Sequence, residues 1–165
     1  PKSASHQELE QEGLHVSQGW FDTSVSLGEP GFEDRETIAN GLEVAAKSGF
    51  TGIALQPNSY PIIDNQSQVH FVKQKSNGFA TDLFPIGALT KASEGKDLAE
   101  LFDMKNAGAV AFGDYNKSLS NANLMKIGLQ YVQDFPMGMN SPHFLVVTYP
   151  HRATQYNRTH LQTHI

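Results

Sequence analysis

The chain has 165 residues, of which 39% are hydrophobic and 18% charged, a composition typical of a single soluble globular domain. Its formal charge of -5, without a run of Lys or Arg, argues against a nucleic-acid partner, and no apolar run approaches the roughly 20 residues that cross a membrane. The sequence has no cysteine and no apolar signal segment, which excludes disulfides and thiolate metal sites and favours a cytoplasmic location.

After a polar N-terminal segment, residues 1–12, short apolar runs alternate with amphipathic stretches as far as residue 150. The apolar runs predict five strands, at 14–21 with a continuation to Leu27, 51–57, 82–89, 109–114 and 143–150. The stretches between them predict four helices, at 34–48, from Asn65 to about Gly78, at 97–107 and at 121–135. This alternation indicates successive βαβ units and a parallel sheet with right-handed crossovers.

Capping residues predict where these helices begin. Asp34 is the expected N-cap of the first helix, Asn65 with Gln68 that of the second, and Asp97 with Glu100 that of the third. The predicted buried faces are Ile38, Leu42, Ala45 and Ala46 in the first helix, Leu98, Leu101 and Phe102 in the third, and Leu124, Ile127, Tyr131 and Phe135 in the fourth.

Two architectures fit the alternation, a doubly wound sheet and part of a (β/α)₈ barrel. The chain lacks both G-x-G-x-x-G and G-x-x-x-x-G-K-[ST], which argues against a doubly wound nucleotide-binding sheet. A complete barrel takes about 250 residues. We therefore predict an α/β fold over residues 13–150, an incomplete (β/α) barrel of about four to five units with parallel strands.

The C-terminal segment differs in composition from the rest of the chain. Residues 151–165 show neither helical nor strand periodicity, so we predict an irregular tail and a truncated or altered C-terminus. Four of the seven histidines lie from residue 143 onward: His143, His151, His160 and His164. His160 and His164 have the spacing of a helical zinc pair, but no helix is predicted beneath them.

Two motifs follow the first and second predicted strands. They are FDTSVSLGEPG, residues 21–31, and QPNSYP, residues 56–61. They resemble the dihydroorotases of the amidohydrolase superfamily, in which the first barrel strand ends in D-x-H-x-H-x-R-E-P-G and the second in P-N-T-x-P. The resemblance covers roughly Gly13 to Phe135 and includes the segment FPIGALTKASEGKDLAELFDMKNAGAVAFGD. It implies an amidohydrolase-type barrel and the hydrolysis of a cyclic amide in pyrimidine biosynthesis.

The chain departs from this family at the residues that carry the chemistry. The resemblance places two zinc-binding histidines at Ser24 and Ser26 and the substrate-binding arginine at Gly28. It leaves Asn58 as a remnant of the ligand-binding site and Asp114 at the position of the bridging metal ligand. A neutral hydroxyl is a poor zinc ligand, and cyclic-amide hydrolysis needs the metal to activate water. We therefore expect no zinc and no catalytic residue in this chain.

Asn58, Asp114 and Asp22 can also have structural roles instead of binding a ligand or a metal. Asn58 lies between two prolines, where an asparagine commonly caps a turn. Asp114 is expected to accept hydrogen bonds from the next loop as readily as to bind an ion, and Asp22 to tie the first strand to backbone amides.

Three functional hypotheses follow. The first is a non-catalytic dihydroorotase-like subunit, because the resemblance includes relatives without the zinc motif that serve as scaffolds for aspartate carbamoyltransferase. The expected partner is then that enzyme or a second copy of this chain. A second copy would pair through the open sheet edge at Leu145, Val146 and Val147. The second is an active hydrolase with an atypical site at Asp22, Asp114 and the C-terminal histidines. The third is a truncated gene product without function.

Overall fold

A computed structural model of the chain describes residues 10–133 and the strand formed by residues 144–145. The strands are β1 (Trp20–Val25), β2 (Phe50–Leu55), β3 (Asp82–Gly87), β4 (Ala111–Phe112) and β5 (Phe144–Leu145). They form one sheet in the order β1-β2-β3-β4-β5, and every neighbouring pair is parallel. The sheet curls into a partial barrel, which confirms the predicted fold class. Because β1 lies at an edge and not in the middle, the doubly wound alternative is wrong.

Helices connect successive strands, as the alternation predicts. They are α1 (Ile38–Lys47), α2 (Gln66–Lys75), α3 (Leu101–Asn106) and α4 (Ala122–Gln133), with a short 3₁₀ turn at Lys91–Ser93 after β3. Among the residues that the structure describes, no helix is long and apolar enough to cross a membrane.

The core consists of two layers on opposite faces of the sheet. On the helix side, the main cluster includes Ile38, Leu42, Ile53, Leu55, Val69, Val72, Leu83, Leu101, Met104 and Phe112. On the other face, a smaller cluster is formed by Ala54, Ile86 and Ala111. Ala54 lies between Ile53 and Leu55, so the two layers follow from the alternation of side chains along a strand. Burial of each large aliphatic side chain contributes about 1.5–3 kcal/mol.

The start of α1 differs from the prediction. Asp34 is exposed, and the N-cap is Thr37, whose Oγ1 accepts a hydrogen bond from the Asn40 N–H at 3.2 Å. The residues before Thr37 form a closed loop because the N–H groups of Gly28 and Glu29 both donate to the Glu36 carbonyl, at 2.9 and 3.1 Å. The cap of α2 is confirmed, since Asn65 Oδ1 accepts from the Gln68 N–H at 3.2 Å.

The predicted cap of α3 is also wrong. The helix begins at Leu101, and no side chain caps it. Upstream, the Lys91 N–H donates to the Asp97 carbonyl at 2.9 Å and the Ala99 N–H to the Leu89 carbonyl at 3.0 Å. These contacts extend the segment that carries Asp97 alongside the end of β3, so it cannot form a helical turn.

The buried faces of α3 and α4 are rotated from the predicted ones. Phe102 is 44% exposed, and Ile127 and Tyr131 are 44% and 46% exposed. In α4, Gly128 is buried against the core, because its small size permits a close approach to neighbouring leucines. Phe135 lies outside the described residues, as do the 151–165 tail, the C-terminal histidines and the edge residues Val146 and Val147; the domain boundaries at 12 and 150 stay predictions.

Candidate functional site

The carboxyl ends of β1 and β2 bring four neutral polar side chains together, and we call Ser24, Ser26, Gln56 and Asn58 the strand-end site. Parallel neighbouring strands place the residues that follow them at the same edge of the sheet. Gln56 Nε2 donates to Ser24 Oγ at 3.2 Å, and Asn58 Nδ2 donates to Ser26 Oγ at 2.6 Å. Both serines therefore lie at the same edge of the sheet as Asn58.

Gln56 is the member of the strand-end site that the sequence analysis missed. Its side chain is only 2% exposed, so a partner for its amide is a requirement of folding. The signal was present in the sequence. Side chains alternate along an extended chain, so a residue two positions before Asn58 lies on the same face, and Ser24 lies two positions before Ser26.

Asn58 does not serve as the turn cap that its flanking prolines predict. Its amide nitrogen bonds Ser26, while the turn is held by Ser59, whose Oγ donates to the Pro61 carbonyl at 2.7 Å. Asn58 Oδ1 is buried without a hydrogen-bond partner in the described part of the chain. The amide of Asn58 is thus only half satisfied by Ser26.

Asp22 is tied to the backbone of its own strand, as predicted. Its Oδ1 accepts a hydrogen bond from the Ser24 N–H at 2.9 Å. At the same place, the pairing register of β1 with β2 shifts between Asp22 and Val25. Val25 packs against the helix-side core, so Ser24 and Ser26 lie on the opposite face of the strand.

The backbone closes over the position at which the family pattern has its substrate-binding arginine. A Cβ atom added at Gly28 would lie 1.8 Å from the Phe32 carbonyl oxygen and 2.9 Å from the Glu36 carbonyl oxygen. Both neighbours are main-chain atoms. The Glu36 oxygen accepts a hydrogen bond from the Gly28 N–H, and Phe32 is held by the bond from its own N–H to the Gly28 carbonyl. No side chain fits at this position unless the loop moves.

A buried glutamate that pairs with a half-exposed lysine holds this loop in place. Glu29, 7% exposed, accepts the Ile38 N–H at 2.9 Å and pairs with Lys75 Nζ at 3.0 Å, which joins the loop to both α1 and α2. Nearby, the Gly31 N–H donates to Glu33 Oε1 at 2.9 Å. That hydrogen bond is the main reason why the pKa of Glu33 lies below its ordinary value.

Asp114 lies just beyond β4 and is 8% exposed. Its Oδ1 accepts the Thr90 N–H at 3.0 Å, and its Oδ2 accepts the Thr90 hydroxyl at 2.5 Å. The same hydroxyl accepts the Gly95 N–H at 2.9 Å. Asp114 therefore binds a loop, but the one that follows β3 and not the next one along the chain. No hydrogen bond links Asp114 to the strand-end site within the described residues.

The loop that Asp114 anchors contains strained backbone. Ala92 and Ser93 both have φ of 50°, a conformation that costs a non-glycine residue roughly 1–2 kcal/mol. Asp64 accepts the Ala92 N–H at 2.9 Å, and Lys117 Nζ donates to the Ala92 carbonyl at 3.4 Å. Asp114 holds the same loop through Thr90 and so has a structural role.

The residues present do not fit a zinc ion. Zinc in proteins takes imidazole, thiolate or carboxylate ligands. The described residues contain no group of three or more His, Cys, Asp or Glu side chains placed to hold a metal. Both serines at the vacated ligand positions are bonded to carboxamides, and both oxygens of Asp114 accept hydrogen bonds from Thr90.

The family model for dihydro-orotase-like proteins matches residues 14–141. The chain belongs to this family. It is 46% identical to a dihydroorotase of Pelotomaculum thermopropionicum over 129 residues, which cover 78% of this chain and 30% of the relative. It is 42% identical to a dihydroorotase of Ruminiclostridium cellulolyticum over 129 residues, 77% and 30% of the two chains. A dihydroorotase of Syntrophus aciditrophicus is 40% identical over 124 residues, 74% and 29% of the two chains.

These matches confirm the resemblance inferred from the strand-end motifs. They also set its extent, because the chain spans about 30% of the length of the curated relatives. The shared region contains β1 to β4 and the strand-end site.

Proposed function

We propose that this chain is a non-catalytic, metal-free dihydroorotase-like protein of pyrimidine biosynthesis that acts as a scaffold. One observation carries the proposal. Ser24 and Ser26, at the positions where the family pattern has zinc-binding histidines, are paired with Gln56 and Asn58. Each of the two hydroxyls accepts a hydrogen bond from a carboxamide, and a neutral hydroxyl is a poor zinc ligand.

The strand-end site offers no group suited to hydrolysis. Hydroxyls and carboxamides do not ionise near neutral pH, so none of the four side chains can act as a general base. The two carboxylates of the atypical-site hypothesis, Asp22 and Asp114, accept hydrogen bonds from N–H and O–H donors. Because both carboxylates already accept hydrogen bonds, the alternative of a hydrolase with an atypical site at these two residues is disfavoured.

Recognition of an anionic substrate is disfavoured for a separate reason. An arginine binds a carboxylate through two parallel hydrogen bonds, a geometry that no other side chain reproduces. The corresponding position is Gly28, where the loop leaves no room for a side chain. An arginine at position 28 would therefore require a different backbone conformation of this loop.

Two measurements on the purified chain test the proposal. After incubation with zinc and dialysis, we expect less than one tenth of an equivalent of bound metal, and no turnover of dihydroorotate above the uncatalysed rate. The control is Asp114→Ala. Stoichiometric zinc, or turnover that disappears in the Asp114→Ala variant, is the result that contradicts the proposal.

A scaffold needs a partner, and we propose aspartate carbamoyltransferase or a second copy of this chain. The first rests on the family resemblance. The second is supported by β1, an edge strand with one unpaired side in the described sheet, beside the exposed side chains of Trp20 and Phe21. Sedimentation of the chain alone and with the carbamoyltransferase of the same organism separates the two partners. If the chain sediments as a monomer in both samples, neither proposed partner is correct.

A further inference from the structure

The turn after α2 contains an asparagine followed by a glycine, Asn77 with Gly78. Helix α2 ends at Lys75, and both residues of the pair are exposed. Gly78 has φ of 88°, which glycine adopts without steric cost, and a Cβ added to it would meet no heavy atom within 4 Å. The pair therefore lies in open space, away from the packed layers of the fold.

The reactive groups of this pair are not engaged by the fold. In the described part of the chain, neither the carboxamide of Asn77 nor the N–H of Gly78 takes part in a hydrogen bond. The two preceding N–H groups, those of Ser76 and Asn77, still donate to the Val72 and Gln74 carbonyls, at 3.1 and 3.3 Å. The main-chain nitrogen of Gly78 is thus the first one after α2 that the helix does not hold.

The sequence contains one other asparagine followed by a glycine, Asn40 with Gly41, and it lies inside α1. The Gly41 N–H donates to the Thr37 carbonyl at 3.0 Å, and Asn40 Nδ2 donates to Glu36 Oε1 at 2.9 Å. A Cβ added to Gly41 would lie 2.6 Å from Leu27 Cδ2, so the helix is closely packed at this point. The chain therefore carries the same dipeptide in an unrestrained and in a restrained setting.

We propose that Asn77 is a site of spontaneous deamidation. The Gly78 nitrogen gives up its proton to hydroxide and attacks Asn77 Cγ. The N–Cγ bond forms, the Cγ–Nδ2 bond breaks, and the amide nitrogen takes up a proton from water and leaves as ammonia. Water then opens the five-membered succinimide at either carbonyl, which leaves aspartate or isoaspartate at position 77. The net reaction is hydrolysis of one carboxamide, and water is the only co-reactant.

The fold directs this reaction to Asn77. Ring closure is intramolecular, so its rate depends on how easily the nitrogen of the next residue reaches Cγ. A glycine in that position helps because it has no Cβ to obstruct the approach. At Asn77 no hydrogen bond has to break first, whereas at Asn40 the side-chain bond and the helical bond of Gly41 must both break, which requires local opening of α1.

The product differs from the unmodified chain in charge and in main-chain geometry. Deamidation adds a carboxylate just beyond the last turn of α2, where the helix dipole disfavours an anion. The isoaspartate product also carries one extra methylene in the main chain. We therefore expect an acidic form of the chain that accumulates with time.

The test follows two tryptic peptides of the folded 165-residue chain after incubation at mildly alkaline pH. Peptides 76–91 and 36–47 each contain a single asparagine, so the mass gain from replacing NH₂ by OH reports on Asn77 and Asn40 separately. We expect peptide 76–91 to convert at least about tenfold faster, which corresponds to about 1.4 kcal/mol for opening α1. Equal conversion of the two peptides in the folded chain overturns the proposal.

The same incubation in concentrated urea separates the effect of the fold from that of local sequence. Once the chain is unfolded, the two peptides should convert at similar rates because α1 no longer protects Asn40. If peptide 76–91 keeps its full advantage in urea, the fold does not direct the reaction and the structural argument is wrong.

Two variants assign the acidic form to one residue. Asn77→Gln keeps the carboxamide, but its longer side chain would have to close a larger ring, so the acidic form seen by ion exchange should no longer accumulate. Asn40→Gln is the matched control and should accumulate the acidic form as the unaltered chain does. Circular dichroism verifies that both variants are folded. An undiminished acidic form in Asn77→Gln overturns the assignment.

Discussion

Gly28 provides the most direct test of the closed strand-end loop. Replacement of Gly28 by alanine adds a single methyl group at a point 1.8 Å from the Phe32 carbonyl oxygen and 2.8 Å from its carbonyl carbon. Separations below about 3 Å do not occur in real structures, so the loop has to open. The obstacle is backbone and not a flexible side chain, and no rotamer change relieves it.

The expected cost follows from the contacts that must be broken. The Gly28 N–H donates to the Glu36 carbonyl at 2.9 Å, and the Phe32 N–H donates to the Gly28 carbonyl at 2.9 Å. Loss of one such bond costs about 0.5–1.5 kcal/mol, and overpacking a tight site costs about 1–3 kcal/mol. We expect Gly28→Ala to lower the free energy of unfolding by roughly 2–4 kcal/mol.

Equilibrium unfolding in urea measures this loss. With a urea dependence of about 2 kcal/mol/M, the midpoint should fall by roughly 1–2 M. The matched control is Gly41→Ala in α1, where the added Cβ meets Leu27 Cδ2, the end of a flexible side chain, at 2.6 Å. There the helix propensity of alanine gains about 1 kcal/mol and offsets the crowding. If Gly28→Ala is as stable as the unaltered chain, the closed-loop argument fails.

Three further predictions concern buried and paired groups. Ser24→Ala leaves the buried amide of Gln56 without its partner and should cost about 1–3 kcal/mol in urea unfolding, whereas the double variant Ser24→Ala with Gln56→Met should recover most of that loss. Asp114→Asn removes an acceptor from Thr90 and should raise hydrogen exchange at residues 90–95 while leaving α1 unchanged. Because the folded-state pKa of Glu33 lies below its ordinary 4.5, its stabilising effect is present above that value and is lost as the pH falls through the folded pKa. Glu33→Gln should therefore flatten the loss of stability measured between about pH 5 and pH 3, and an unchanged slope contradicts this assignment.

The elements that sequence reasoning located correctly are those determined by local pattern. The strands β3 and β4 lie within predicted apolar runs, and Asn65 caps α2 through a residue only three positions away. The starts of α1 and α3 were misplaced because distant contacts override local caps. Glu29 reaches nine residues along the chain to the first N–H of α1, and residues 97–99 pair with residues 89–91. Neither contact leaves a periodic signal.

The strand-end site was predictable in part for the same reason. Ser24, Ser26 and Asn58 follow parallel strands, and topology alone brings their positions to one edge. Gln56 was missed because a carboxamide neither ionises nor ranks among the usual zinc ligands. Closure of the loop at Gly28 depends on carbonyl groups of Phe32 and Glu36, and a backbone approach of this kind is invisible in a sequence.

The energetics of buried polar groups explain why the altered site is a stable arrangement in its own right. A buried carboxamide without a partner costs about 1–3 kcal/mol, so Gln56 would destabilise the sheet if Ser24 could not accept its hydrogen bond. Histidine at position 24 would displace that acceptor, and the loop at Gly28 would still exclude an arginine. Restoring Ser24→His and Ser26→His should therefore leave two amides unsatisfied and gain no substrate anchor. These hydrogen bonds between serines and carboxamides at the strand ends support the proposed lack of catalysis.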